Sequence, residues 1–329
     1  MGKRMKYRML GNSNLRVSAV GFGCWEMAGD IYGHIDQDEV VRAIHQALDL
    51  GVTLFDTAPG YGNGRSEAIL GHALRTRRAE AVIVTKCGQY WSSERGFYRD
   101  SSHATILAGI DASLRRLQTD YVDLLLIHWP DTTHTFVEAI GALHDVVQAG
   151  KARYIGVSNF RAEQLRACAP LAPLVANQVG YNLFDRRWER EMFATARSLG
   201  IGIMAYGPLA HGLLTGTFTA QTRFEPSDWR STGDMFGQPL LTPENFGQNL
   251  LVVERLKALA QEVGTTLPRL ALAWVLHDPL VGSALSGTRR PEEIEENVAA
   301  IDVQLTAPIM ERIARIMAGA AGQTDQVPT

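Results

Sequence analysis

The stretch "YVDLLLIHW", Tyr121–Trp129, is short and almost continuously apolar. Runs of this kind form strands buried on both faces, as in a parallel sheet covered by helices. Seven further runs share its character: "VGFGCW" from Val20, "TLFDTA" from Thr53, "AVIVTKC" from Ala81, "ARYIGVSN" from Ala152, "LVANQVGYN" from Leu174, "IGIMAYGP" from Ile201 and "LVGSALSG" from Leu280. Amphipathic segments separate them. In "DQDEVVRAIHQALDLG" the residues Val40, Val41, Ile44, Ala47 and Leu48 fall on one helical stripe, and Gly51 is placed to end it. Eight such units in 329 residues predict an α/β protein, a (β/α)8 TIM barrel forming one domain over residues 1–329. A doubly wound open sheet is the competing architecture. It normally carries G-x-G-x-x-G, but "GFGCWE" and "GNGRSE" both lack the third glycine, and G-x-x-x-x-G-K-[ST] does not occur.

Two segments break the rhythm. The opening "MKYRMLGNSNLRVSAV" reads as a hairpin ahead of the barrel, and Leu209 to Gln248 reads as a long loop after the seventh strand, rich in Pro and Gly. That loop is the candidate lid over the barrel mouth.

Composition removes several function classes. The formal net charge is −3 and no long basic run exists, so the footprint of a nucleic-acid binder is missing. The cysteines Cys24, Cys87 and Cys168 are few, odd in number and widely spaced, which argues against a disulfide framework or a zinc site and for a reducing, cytoplasmic setting. No run has the length of a signal peptide core or a membrane span. Gly2 raises myristoylation, but Lys6 stands where that motif wants Ser or Thr. None of the nine histidines forms an H-x-H cluster, so no metal is expected.

Barrel active sites assemble where strands end and βα loops begin. Asp56 ends the second strand with Tyr61 in the turn after it, Lys86 ends the third in "VTKCG", and His128 ends the fourth in "LLLIHWP". An acid, a phenol, an amine and an imidazole thus meet at one mouth. Jointly, these residue types on consecutive strands read as a catalytic constellation. Trp25, Trp91 and Trp129 follow the first, third and fourth strands as candidate substrate contacts.

With these residues in place, the chain resembles the aldo-keto reductase superfamily from about Tyr7 to about Met317. "FDTAPGYG", "VTKCG", "LLLIHWP", "GVSNF", "NQVGYN", "YGPLAHGLLTG" and "GTRRPEEIEEN" occur in the family's order and spacing. The resemblance implies carbonyl reduction by hydride, with Tyr61 donating the proton, Lys86 and Asp56 tuning it and His128 orienting the carbonyl. That chemistry explains the residue types: charge left on oxygen must be protonated or held, a phenol beside an ammonium suits the task, and an acid beside the ammonium keeps it charged. It implies a nicotinamide cofactor, NADP(H) with NAD(H) as the lesser alternative. Its contacts are Ser158, Asn159, Gln178 and Tyr206, then Gly207, Pro208, Leu209, Gly212 and Leu213, and finally Gly287, Thr288, Arg289, Glu293, Glu296 and Asn297. The family often has Ser where Gly207 stands and Lys where Thr217 stands. The expected partner is a small aldehyde, ketone, alcohol or sugar, with neither nucleic acid nor membrane, and a homo-oligomer is compatible. The alternative is a cofactor-binding regulatory module with little turnover, since the superfamily includes channel-associated subunits.

Overall fold

The computed structural model describes residues 5–29 and 35–328, and Gly2 lies outside the described residues. An antiparallel hairpin of β1 (Tyr7–Met9) and β2 (Arg16–Ser18) opens the chain, as its sequence suggests. Next come β3 (Val20–Gly23), β4 (Leu54–Asp56) and β5 (Val82–Cys87). A second hairpin follows, β6 (Gln89–Ser92) and β7 (Gly96–Arg99), which the reading of the sequence does not anticipate. Then come β8 (Val122–Ile127), β9 (Ala152–Ser158), β10 (Leu174–Gly180), β11 (Gly202–Tyr206) and β12 (Val281–Gly287). Apart from the two hairpins, the strands pair in parallel in chain order and β12 returns to β3, closing an eight-stranded barrel. Each apolar run read from the sequence is one of those eight strands.

Around the barrel lie α1 (Gln37–Asp49), α2 (Arg65–Leu74), α3 (His103–Leu117), α4 (Phe136–Gln148), α5 (Ala162–Cys168), α6 (Met192–Leu199), α7 (Pro243–Glu262), α8 (Leu267–Val275), α9 (Pro291–Val298) and α10 (Ala307–Met317). The first shows why they form. Asp36 caps it by accepting from the N–H groups of Asp38 and Glu39, and Val40, Ala43, Ile44, Ala47 and Leu48 are buried. Val41 is only half-buried, so the stripe runs through Ala43 instead. The loop after β11 is shorter than expected. Pro243 starts α7, where its fixed φ suits the first helical turn, so residues 243–248 are helical.

The barrel divides the apolar side chains into two layers. Outward residues such as Phe22, Phe55, Ile83 and Leu125 pack beneath the helices. Leu54, Val84, Leu124, Leu126, Ala176, Met204 and Leu285 fill the interior, joined by Leu10, Leu15 and Val17 from the first hairpin, which stoppers the N-terminal end. That stopper is tied down at long range. Arg8 donates to the carbonyls of Val281 (2.6 Å) and Leu276 (2.7 Å), and Lys6 Nζ donates to the Ile301 carbonyl at 2.6 Å. No helix among the described residues is long and apolar enough to cross a membrane. The three cysteines are buried and unpaired.

Candidate active site

Side chains alternate along a strand, so every second residue of a barrel strand points toward the axis. The interior layer ends at Leu54, Val84, Leu126, Ala176, Met204 and Leu285. Two residues further on, the next inward positions clear that layer and reach the C-terminal mouth. They are Asp56, Lys86, His128, Gln178, Tyr206 and Gly287, with Gly23 and Ser158 supplied by β3 and β9. The register that packs the barrel therefore also builds the site.

Lys86 is fully buried beneath the mouth. Its Nζ donates to Asp56 Oδ2 at 2.7 Å, to the Thr57 carbonyl at 2.9 Å and to the Tyr61 hydroxyl at 3.2 Å. Gln178 Nε2 donates to the other Asp56 oxygen at 2.6 Å, so both carboxylate oxygens are engaged. The His128 ring stands edge-on to Tyr61, with centroids 5.7 Å apart. Its Nδ1 is buried without a partner, which leaves Nε2 to serve an entering oxygen.

Burial sets the protonation states. It pushes the Tyr61 phenol well above its ordinary pKa, with Asp56 and Cys24 adding to the rise. Desolvation is the largest cause, and Tyr61 keeps its proton in the resting site. Burial lowers the Lys86 pKa and the Asp56 carboxylate opposes it. Burial, reinforced by Lys86 and Arg99, holds the His128 imidazole well below 6.5, so the ring is neutral.

Asp56, Tyr61 and His128 floor a cavity of about 1090 Å³ that runs from the barrel axis to the N-terminus of α9, with Lys86 beneath them. Ser158, Asn159, Gln178 and Tyr206 line its near wall, Gly207, Pro208, Leu209 and Gly212 its side, and Gly287, Thr288, Arg289, Glu293, Glu296 and Asn297 its far end. Ser158 Oγ donates to the Gln178 carbonyl (2.9 Å), Asn159 Nδ2 to the His128 carbonyl (3.2 Å), and the Tyr206 hydroxyl to Asn159 Oδ1 (3.0 Å). At the start of α5, Gln164 Oε1 accepts from the Arg161 N–H at 2.8 Å. Two expected contacts lie elsewhere. Leu213 is fully buried in the core, because the turn at Ala210–Thr215 aims it inward. Trp91 is 43% exposed and lies outside the cavity, where the β6–β7 hairpin presents Gln89, Phe97 and Arg99 instead.

Trp25 and Trp129 do line the mouth. The loop after β11 lays Trp229 and Phe236 against them: Phe236 lies 5.8 Å from Trp25, 6.4 Å from Trp129, 5.4 Å from Trp229 and 5.7 Å from Tyr206, centroid to centroid. Phe236 adopts φ +55°, a left-handed conformation uncommon for a bulky side chain. The Gly207 departure also has a structural reason. Gly207 sits at φ +59°, and a Cβ there would come within 2.9 Å of the His211 ring, which fills that space. Burial, helped by Arg230 and Arg187, pushes His211 down to about 3, so it enters as a neutral ring.

Glu26, His211, Arg230 and Phe236 line the cavity without having been singled out in the sequence. Glu26 follows the first strand and meets the strand-end criterion that picked out its neighbours. His211 lies within "YGPLAHGLLTG" but carries no strand-end signal, and Arg230 and Phe236 lie in a segment without hydrophobic periodicity.

Comparison with known proteins agrees with this fold. The sequence pattern of the Aldo/keto reductase family matches residues 19–318. The chain belongs to the aldo/keto reductase family. It is 36% identical over 294 residues to aldo-keto reductase YhdN of Bacillus subtilis (strain 168), covering 88% of this chain and 87% of that protein. It is 34% identical over 331 residues to the NADH-specific methylglyoxal reductase of Escherichia coli (strain K12), covering 95% and 99%. The solved glycerol dehydrogenase AKR11B4 from Gluconobacter oxydans superposes with a TM-score of 0.87 at 34% identity, covering 97% of this chain and 96% of that one. Members of the family are oxidoreductases that use nicotinamide cofactors. The residues of this aldo/keto reductase fit such a group. The cavity has the volume for a dinucleotide, the Ser286 hydroxyl is buried without a partner beside it, and Gly287 leaves open backbone where a Cβ would overlap the Glu26 carboxylate.

Proposed function

We propose that this chain interconverts the carbonyl and alcohol of a small aldehyde, ketone or sugar, with Tyr61 as the proton donor and acceptor. The hydrogen-bonded series Tyr61, Lys86, Asp56 on the floor of the cavity carries this reading. A bound reduced nicotinamide supplies hydride to the carbonyl carbon. In the proposed arrangement Tyr61 Oη and His128 Nε2 donate to the carbonyl oxygen, and Tyr61 passes its proton to that oxygen as charge develops on it. Lys86, held charged by Asp56, stabilises the phenolate that results. Trp25, Trp129 and Phe236 shield the carbonyl from water. Ser158, Asn159, Gln178 and Tyr206 would hold the nicotinamide.

On charge alone, Arg289 and Arg290 support NADP(H). The NADH specificity of the E. coli relative supports NAD(H), as does the engagement of those arginines described below. A screen of carbonyls and alcohols with both dinucleotides tests the activity. Dinucleotide binding with no turnover across the screen would favour the regulatory alternative.

The protonation states give a pH profile for reduction. His128 stays neutral through the ordinary imidazole range, so kcat should show no inflection near 6.5. Since the Tyr61 pKa is raised and that of Lys86 lowered, activity should fall on the alkaline side as Lys86 loses its proton, before the phenol ionises. A bell centred on an imidazole pKa would contradict this.

Residues 217–241 of the loop after β11 should exchange amide hydrogens more slowly when dinucleotide is bound, because Arg230 and Phe236 reach into the cavity. Equal exchange at saturating dinucleotide would rule out a lid.

A further inference from the structure

The donors suited to a phosphate monoester at the far end of the cavity are already turned onto a carboxylate. Thr288 Oγ1 lies 2.8 Å and the Arg289 N–H nitrogen 3.2 Å from Glu293 Oε2. Arg290 places Nε at 2.9 Å and Nη2 at 2.5 Å from Glu293 Oε1. Glu293 stands in the first turn of α9, where the helix dipole favours an anion. One negative group therefore holds the position a 2′-phosphate would take. The Arg289 guanidinium also acts on Glu26 and Asp228, although burial raises the Glu26 carboxyl to about 7 and Arg230 already pairs with Asp228 at 2.6 Å. Glu292 and Glu296 line the same end.

We infer that Glu293 makes this end of the cavity a site for an unphosphorylated ribose, so that the chain prefers NAD(H) to NADP(H). This rests on the reading of the cavity as a dinucleotide site. A ribose 2′-hydroxyl is a donor and a carboxylate an acceptor, whereas a phosphate brought to the same donors meets like charge. The carboxylate has a lone pair to offer. The Thr288 hydroxyl also lies 3.1 Å from the Arg290 carbonyl, and turning its single proton there frees Glu293 Oε2 for the incoming hydroxyl. Burial would raise the Glu293 pKa, but hydrogen bonds from Arg290, Thr288 and the Arg289 N–H hold it below the ordinary carboxylate range, so the group is anionic near neutral pH.

Titration calorimetry of the full chain with NAD+ and NADP+ tests the inference without turnover. Wild type should bind NAD+ at least about tenfold tighter, and Glu293→Gln should shift the ratio of the two dissociation constants toward NADP+ by about tenfold or more, equivalent to about 1.4 kcal/mol. The shift should come from weaker NAD+ binding and stronger NADP+ binding together. Glu293→Ala should move the ratio the same way and serves if the Gln variant fails to fold. A wild type that binds NADP+ more tightly, or variants that leave the ratio unchanged, would overturn the inference while leaving the dinucleotide site intact. Binding of neither dinucleotide would remove the site reading itself, and the inference with it.

Discussion

Tyr61→Phe is expected to lower kcat by about 100- to 10,000-fold, the range general acid–base groups contribute, while dinucleotide affinity changes little. The substitution removes one oxygen and leaves the ring, so the contacts of Tyr61 with His128 and with Trp25, 6.3 Å away, survive. Lys86 keeps the Asp56 carboxylate and the Thr57 carbonyl as acceptors, so no buried charge is orphaned. Single-turnover reduction isolates the chemical step. A variant within a few-fold of wild type in that measurement would show that the proton comes from elsewhere.

Lys86→Met is expected to damage both activity and stability. The methionine fills the space of the stem but leaves Asp56, 4% exposed, with one amide donor and no counter-charge. Breaking a buried ion pair from one side costs about 3–5 kcal/mol, because the surviving charge stays desolvated. Denaturant midpoints at neutral pH should therefore fall well below wild type. Adding Asp56→Asn removes the orphaned charge and should recover most of the stability, while activity stays lost because the phenol has no ammonium beside it. A double variant no more stable than Lys86→Met would mean that the loss comes from packing. A double variant with restored turnover would detach Lys86 from the chemistry.

The barrel and the floor of its site were legible in the sequence for one physical reason. A parallel strand covered on both faces must be apolar nearly throughout, so the polar residue where it stops stands out: Asp56 after "TLF", Lys86 after "VIVT", His128 after "LLLI". The second hairpin carries a signal that reasoning from apolar runs passes over. Tyr90 and Tyr98 face α3 while Gln89, Trp91, Phe97 and Arg99 share the other face, a period of two set about a turn. Phe236 and His211 offer no such signal. Their places depend on a loop whose course is set by contacts with distant residues, including the packing of Phe236 on Trp25. Protonation was legible only in part. The residue types at the site were visible, but whether burial or the ammonium governs Tyr61 depends on desolvation, which neighbouring letters do not encode.

The stopper at the N-terminal end of the barrel bears on the order in which the protein can be completed. Lys6 and Arg8 leave the ribosome long before their partners, the carbonyls of Leu276, Val281 and Ile301. β3 likewise waits for β12. During vectorial synthesis the first hairpin and the first barrel strand thus remain without their final neighbours until β12 and Ile301 have emerged. Their apolar faces, Leu10, Leu15, Val17 and Phe22, stay open to other surfaces for that interval. Closure of the ring is then a late, long-range event, and the nascent chain is most exposed to misassociation just before its last barrel strand arrives.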